Sequence, residues 1–171
     1  MMKGTVVLSH GLDSGPQATK VSALAEIAEM LGWTSLRPDY RGIDAERNTD
    51  SIDARIAHAL AHAPVKGRVV FAGSSMGAFV SGFASLARPC EGLFLLALPI
   101  DIKGYARRFA AANAPTTLVH GWNDELCPVD AVIAFAQGRR DTLHLLPDDH
   151  RLGNHVEYCA HAFREFLQSL E

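Results

Sequence analysis

Residues 69–77 read Val69-Val70-Phe71-Ala72-Gly73-Ser74-Ser75-Met76-Gly77, an apolar run that leads into a serine between two glycines. A wholly apolar run of this length is typical of a strand that is buried on both faces. The residues from Met76 to about Arg88 favour a helix, so Ser75 lies at a strand-to-helix turn. Glycines beside a serine relieve the crowding of such a turn and leave the hydroxyl exposed. The segment predicts an α/β fold with Ser75 as a candidate nucleophile.

The rest of the chain continues this alternation of strands and helices. Apolar, β-branched runs predict six strands, over residues 5–9, 34–37, 69–73, 92–98, 116–120 and 142–146. Apolar residues at three-and-four spacing predict helices over 17–31, 50–63, 76–88, 102–113, 130–137 and 156–170, with Gly138 as a stop signal. The segment 40–49 is polar and is expected to be exposed. Six strands without polar alternation indicate a three-layer sandwich, in which helices cover both faces of a mainly parallel sheet.

Composition limits the classes of function. The 171 residues correspond to a single domain, 1–171, and the net charge of −3 gives no reason to expect nucleic acid or an anionic membrane as a partner. No apolar run approaches the ~20 residues of a membrane span, and the N-terminus does not resemble a signal peptide. Three scattered cysteines, Cys90, Cys127 and Cys159, suggest reduced thiols and hence a cytoplasmic location.

A serine nucleophile needs a base, and the base needs an acid that orients it. Ligands of parallel α/β sheets bind beyond the carboxyl ends of the strands, so the loops after the strands are the places to look. After the fifth strand the chain carries Asp124 and Glu125. We favour Asp124, since it lies nearer the strand end, and Glu125 remains the alternative.

Two histidines follow the sixth strand, His150 and His155. Asn154 with Glu157 three residues later resembles a capping box, which would place His155 in the first turn of the last helix. His150 would then lie in the loop, where it could reach over the sheet. We favour His150 as the base and keep His155 as the alternative; Ser74 is likewise a weaker alternative to Ser75.

Two backbone N–H groups are candidates for binding a developing oxyanion. The first belongs to Met76, which starts the helix after the turn, and the second to Leu12, in the loop after the first strand. His10, in the same loop, is interpreted as a structural residue that holds the loop by hydrogen bonding.

These motifs together resemble the α/β-hydrolase superfamily, and specifically its small members without a lid. The resemblance rests on the following segments: Leu8-Ser9-His10-Gly11, Asp39-Tyr40-Arg41-Gly42, Gly73 to Gly77, Gly121 to Pro128, and Asp149-His150-Arg151-Leu152. It implies the strand order 2-1-3-4-5-6, without the family's first antiparallel hairpin. Only residues 99–115 stand where such proteins carry a lid, which is too little for a separate cap.

The resulting hypothesis is a serine hydrolase that cleaves a small ester or related acyl compound by a Ser75-His150-Asp124 triad. A thioesterase or small peptidase would use the same groups, and a non-catalytic binding module is the rival from another class. The acyl pocket is expected to be lined by Leu12, Leu98, Ile100, Trp122 and Leu126. No cofactor is expected, since the chain has no nucleotide-binding Gly-rich motif, and no metal is expected, since His58 and His62 have metal-ligand spacing but no evident third ligand. The oligomeric state is not predicted.

Overall fold

The chain alternates strands with helices, as the sequence predicts. The structure is a computed structural model that describes residues 1–171. Its strands are β1 (Thr5–Ser9), β2 (Thr34–Leu36), β3 (Val69–Ser74), β4 (Gly92–Leu96), β5 (Thr116–Gly121) and β6 (Thr142–Leu146). Its helices are α1 (Thr19–Met30), α2 (Arg41–Asp44), α3 (Asp50–His62), α4 (Met76–Ala87), α5 (Val129–Arg139) and α6 (Val156–Ser169). A short 3-10 turn, Gly153–His155, precedes α6.

The six strands form one parallel sheet in the order β2-β1-β3-β4-β5-β6. This confirms the predicted strand order and the three-layer fold class. Because all strands run in one direction, their carboxyl ends meet at one edge of the sheet. The loops after β1, β3, β5 and β6 therefore converge on the same side of the molecule.

Each central strand buries apolar side chains on both faces, which explains why the sequence shows no polar alternation. In β1, Val6 and Leu8 belong to the core beneath α1 and α6. Val7, between them, belongs to the core beneath α3, α4 and α5. Two apolar layers therefore hold the central sheet. No helix is both long enough and apolar enough to cross a lipid bilayer.

The helix predicted over 102–113 is wrong. Gly104 has φ +86, a left-handed conformation that an α-helix cannot contain. The Ala112 N–H, which a helix would pair with the Arg108 carbonyl, instead donates to Ser85 Oγ, and Arg139 donates to the carbonyls of Ala111 and Ala112. Phe109 packs on α4 instead, with its ring centroid 5.7 Å from that of Phe79. Tertiary contacts thus replace helical ones in this segment.

Two smaller expectations are also wrong. Gly138 does not end α5, which continues to Arg139 and stops at Arg140 in the left-handed conformation, φ +60. The segment 40–49 is not simply an exposed loop, because Tyr40 is fully buried and α2 begins directly after it. The buried Tyr40 hydroxyl lies 2.7 Å from Ser9 Oγ, at the end of β1. This segment therefore takes part in the structure beneath the loop after β1.

Candidate active site

Ser75 occupies a strained turn between β3 and α4. Its backbone has φ +56 and ψ −118, a conformation that costs a non-glycine residue on the order of 1–3 kcal/mol. A Cβ at Gly77 would overlap the carbonyl oxygen of Ser9, and a Cβ at Gly73 would overlap the backbone of Gly77. The two glycines thus let α4 begin directly against the end of β1. Ser74, the weaker alternative, is the last residue of β3 and is buried.

Three side chains from three loops form one hydrogen-bonded chain. His150 Nε2 lies 2.9 Å from Ser75 Oγ, and His150 Nδ1 lies 2.8 Å from Asp124 Oδ2. A carboxylate only accepts hydrogen bonds, so Nδ1 carries the proton and donates it to Asp124. Nε2 is then free to accept the hydroxyl hydrogen of Ser75. The arrangement can raise the nucleophilicity of Ser75 by offering its proton a base.

The carboxylate of Asp124 is fixed on both oxygens. Oδ1 accepts hydrogen bonds from the backbone N–H groups of Leu126 and Cys127, at 2.9 and 2.7 Å. Oδ2 faces His150 and also lies 3.2 Å from Nε2 of His120. Glu125, the alternative acid, is exposed. Only Asp124 of the two therefore lies against a histidine.

His155 is placed away from this chain of hydrogen bonds. Its Nδ1 lies 2.8 Å from Asp148 Oδ2, and the Asn154 N–H donates to the same carboxylate oxygen. Burial by itself raises the pKa of Asp148, but the hydrogen bonds from His155 and the neighbouring N–H groups outweigh it and lower that pKa. The predicted capping box is wrong, because His155 itself precedes α6 and no side chain caps this helix. Asp148 and His155 instead brace the loop that carries His150.

The two predicted oxyanion donors belong to segments that adjoin Ser75. Met76 is the first residue of α4, and the first N–H groups of a helix have no acceptor within it. The loop after β1 passes beside the serine, since a Cβ at Gly11 would lie 3.6 Å from Ser75 Cβ. His10 holds this loop as expected: Nδ1 lies 2.8 Å from the Gly11 carbonyl, and Nε2 accepts from the Tyr40 N–H at 3.0 Å. Leu12 follows directly. Its role and that of Met76 remain predictions.

The five residues predicted to line the pocket fall into two groups. Leu98 and Ile100 are buried in the core on the α4 side of the sheet. Leu12, Trp122 and Leu126 are exposed, with 51%, 52% and 68% of their surface accessible. The second group offers an apolar surface on two loops of the edge where Ser75 lies. Contact of either group with a substrate remains a prediction.

One cluster of side chains has the composition of a metal site. Ligand atoms of Asp124, Cys127 and His150 lie within 4.8 Å of one another. Two features oppose a metal there. Burial raises the pKa of the Cys127 thiol to about 12, and a metal on Nδ1 of His150 would replace the proton that now bonds Asp124. The donor set therefore fits the hydrogen-bonded chain better than a resident metal.

Sequence analysis did not identify two residues that lie at or beneath the site. Arg55 is fully buried beneath the loop after β1, although it stands on the apolar stripe of α3, three residues after Ile52 and four before Ala59. A charged residue on such a stripe is the signal that could have identified it. His120, the second, lies within the wholly buried strand β5, and burial lowers its pKa. A polar residue in a buried strand is the corresponding signal.

The strand order and the serine on the β3–α4 turn together define an α/β-hydrolase fold. Among solved structures, a Xanthomonas campestris protein provisionally described as a hydrolase of the α/β superfamily is 44% identical, with a TM-score of 0.92. The alignment covers 97% of this chain and 99% of that one. The chain therefore belongs to the α/β-hydrolase superfamily.

More distant structures share the fold alone. A second Xanthomonas campestris protein, described as a serine hydrolase without a lid, is 21% identical, with a TM-score of 0.76 over 98% of this chain and 82% of its own. An esterase of Pyrococcus furiosus is 18% identical, with a TM-score of 0.76 over the same shares of the two chains. Neither a protein-family model nor a curated protein sequence matches this chain.

Proposed function

We propose that this protein is a serine hydrolase that cleaves small esters or related acyl compounds. The observation that carries the proposal is the Ser75–His150–Asp124 chain, with contacts of 2.9 and 2.8 Å and with Ser75 on a strained, glycine-flanked turn. Strained backbone at an exposed nucleophile is a recurrent feature of functional sites. Membership of the α/β-hydrolase superfamily supports the same class of reaction.

The mechanism follows from the protonation states. Ser75 Oγ attacks the carbonyl carbon of the acyl compound while His150 Nε2 takes its proton. Asp124 holds the imidazole in the tautomer that can accept this proton, and it stabilises the imidazolium that results. His150 then gives the proton to the leaving group, and the acyl group stays on Ser75. Water, deprotonated by the same histidine, hydrolyses this acyl-enzyme and restores the free serine.

Negative charge develops on the carbonyl oxygen during both steps. The N–H groups of Met76 and Leu12 are the donors we propose for it, because Met76 starts the helix directly after Ser75 and Leu12 follows Gly11, which lies beside Ser75. The positive end of the α4 dipole adds to the attraction at Met76. Loss of one such donor typically reduces the rate by about 100-fold or more.

A fluorophosphonate probe tests the assignment of the nucleophile. The wild-type protein should be labelled and should hydrolyse p-nitrophenyl acetate. Ser75→Ala should abolish both, because no other hydroxyl contacts His150. Ser74→Ala is the matched control, one residue away, and should still be labelled; mass spectrometry of the labelled peptide identifies the site.

Two results would contradict the proposal. Labelling and turnover that persist in Ser75→Ala would mean that another residue is the nucleophile. A wild-type protein that neither labels nor turns over any p-nitrophenyl ester would favour a non-catalytic binding module on a hydrolase scaffold. Thioester and amide substrates, tested beside the oxygen esters, decide between an esterase, a thioesterase and a peptidase.

A further inference from the structure

Arg55 is a fully buried charge beneath the loop that follows β1. It stands on α3, and its guanidinium bonds both carboxylate oxygens of Asp44. Nε lies 2.7 Å from Oδ1, and Nη2 lies 2.7 Å from Oδ2. The guanidinium also lies over the ring of Tyr40, 4.3 Å from its centroid. A buried ion pair of this kind is often no more stabilising than apolar residues of the same volume. The ion pair by itself is therefore weak evidence of a stabilising role.

The remaining N–H groups of the guanidinium donate to two successive carbonyl groups of the loop after β1. Nη1 donates to the His10 carbonyl at 2.8 Å, and Nη2 donates to the Gly11 carbonyl at 3.1 Å. His10 supplies a second donor to the Gly11 carbonyl. Its Nε2 accepts from the Tyr40 N–H, so its proton is on Nδ1, 2.8 Å from Gly11 O. The Gly11 carbonyl is therefore fixed by two donors.

Fixing this carbonyl also fixes an N–H group. The carbonyl of Gly11 and the N–H of Leu12 belong to one peptide unit, and no peptide bond of the chain is cis. In a trans peptide unit these two groups point in opposite directions. While Arg55 and His10 hold the carbonyl on their side, the Leu12 N–H is held on the other. The same loop passes beside Ser75, at the Gly11 position.

We propose that Arg55 is a positioning residue for the oxyanion site: it orients the Gly11–Leu12 peptide so that the Leu12 N–H faces the reacting carbonyl. This inference rests on the proposed function, in which Leu12 is one of two oxyanion donors. Asp44 keeps the guanidinium in place and neutralises it. Hydrogen bonds to the carbonyl also polarise the peptide unit and make its N–H a stronger donor.

The role predicts a specific kinetic pattern. An oxyanion donor acts mainly in the transition state, so a misplaced donor lowers kcat and leaves KM nearly unchanged. We expect Arg55→Met to lower kcat for p-nitrophenyl acetate by about tenfold to a hundredfold. Arg55→Lys keeps the charge but loses the planar fork, so it should hold one carbonyl and give a smaller loss.

The experiment compares these variants with Arg139→Met. Arg139 is a matched control at the other end of the sheet, where it also pairs with an aspartate and donates to two successive carbonyls, those of Ala111 and Ala112. Kinetic constants are normalised to active sites titrated with fluorophosphonate, below the unfolding temperature of each variant. Inhibition by propylboronic acid, which forms a tetrahedral adduct with a reactive serine, gives a second readout. Its inhibition constant should rise with the loss of kcat in Arg55→Met and stay unchanged in Arg139→Met.

Removal of Arg55 alone leaves the Asp44 carboxylate unpaired and can prevent folding. The double variant Arg55→Met with Asp44→Asn removes both charges and should show the same kinetic loss as Arg55→Met. The inference would be overturned if Arg55→Lys and the double variant both kept the kcat and the boronate inhibition constant of the wild-type protein. That result would not contradict the proposed triad. Equal losses in the Arg139→Met control would also overturn the inference, because they would reflect stability alone. If fluorophosphonate does not label the wild-type protein, the proposed function itself is contradicted, which is a different outcome from a failure of this inference.

Discussion

His150 and His155 lie five residues apart, but they make different contacts. His150 links Ser75 to Asp124, whereas His155 braces its own loop by contacting Asp148. We therefore expect His150→Ala to reduce kcat by ~10⁴-fold or more, as deletion of a triad base does. His155→Ala is the matched comparison and should keep most of the activity while it lowers thermal stability. Steady-state kinetics with p-nitrophenyl acetate measure the first effect, and the unfolding temperature measures the second. A larger kinetic loss in His155→Ala than in His150→Ala would reverse the assignment.

Single residues differ in how well their position follows from the sequence. The positions of Ser75, Asp124 and His150 were predictable because each stands in the turn or loop that follows a strand, and parallel strands end at one edge. Arg55 was not, because its partners, Asp44 and the His10 and Gly11 carbonyls, lie 11 to 45 positions away along the chain. No local pattern indicates which distant groups compensate a buried charge. The position of Arg55 on an apolar stripe signals only that such partners must exist.

At the scale of elements, the loops after β5 and β6 are joined backbone to backbone. The Trp122 N–H donates to the Leu146 carbonyl at 2.8 Å, and the Asn123 N–H donates to the Asp148 carbonyl at 3.0 Å. Gly121 permits this approach, since a Cβ there would overlap the Asp148 carbonyl oxygen and lie 2.7 Å from that of Asp149. The loop that carries the acid and the loop that carries the base are thereby held in register.

Gly121→Ala should separate these two loops. We expect kcat to fall by about tenfold or more, because displacements near 1 Å at reacting groups carry penalties of that order or larger. The unfolding temperature should fall as well. Gly138→Ala is the control: a Cβ there meets no atom within 4 Å, and alanine in the helix α5 should raise stability by up to about 1 kcal/mol. A Gly121→Ala enzyme with wild-type kcat would show that the loops tolerate the displacement.

Elements, too, were predicted unevenly. The strands could be predicted from apolar runs, because the same apolar side chains are buried by tertiary contacts in the folded protein. Local sequence preference and the packing of the whole fold therefore favour the same structure. The segment 102–113 contains four alanines and favours a helix by composition, yet Gly104 and the hydrogen bonds that the segment makes with Ser85 and Arg139 impose an irregular path. Intrinsic preference for a helix amounts to tenths of a kcal/mol per residue, so tertiary contacts readily override it.

At the scale of the whole molecule, two buried histidines link stability to pH. Burial lowers the pKa of His10 and of His120 from the ordinary value of 6.5, and both side chains are fully buried. In the unfolded chain both histidines bind protons below about pH 6.5, whereas in the folded chain they stay neutral to lower pH. The unfolded state then binds more protons, so the free energy of unfolding falls as the pH drops below about 6.5.

Urea unfolding at several pH values between 5 and 7.5 measures this dependence. Each histidine adds a slope of up to about 1.4 kcal/mol per pH unit. His120→Asn should flatten the dependence, because it removes one of the two buried groups whose pKa is lowered. A midpoint that does not change across this range would contradict the assignment of two neutral buried histidines.

The acyl preference also depends on the whole molecule. The segment 97–115 contributes no helix above Ser75, and the apolar residues Leu12, Trp122 and Leu126 are exposed rather than enclosed. Each methylene of an acyl chain gains about 0.8 kcal/mol only while it is buried. We expect kcat/KM for p-nitrophenyl esters to peak at roughly two to six acyl carbons, with no rise in rate above the micelle threshold. A profile that keeps rising to long chains would reveal a deeper pocket.

Residues 97–115 are attached to the neighbouring helices. This attachment also affects which nucleophile can accept the acyl group from Ser75. Tyr105 Oη bonds Asp53 on α3, and Phe109 packs on α4, so this segment is tied to the flank of the sheet. Under the proposed mechanism, an acyl group carried on Ser75 then stays within reach of small nucleophiles from the solvent. Water, alcohols and amines compete for it according to their concentration and reactivity. The protein would thus select its acyl donor but leave the acceptor open, so that added alcohols would turn part of the hydrolysis into transesterification.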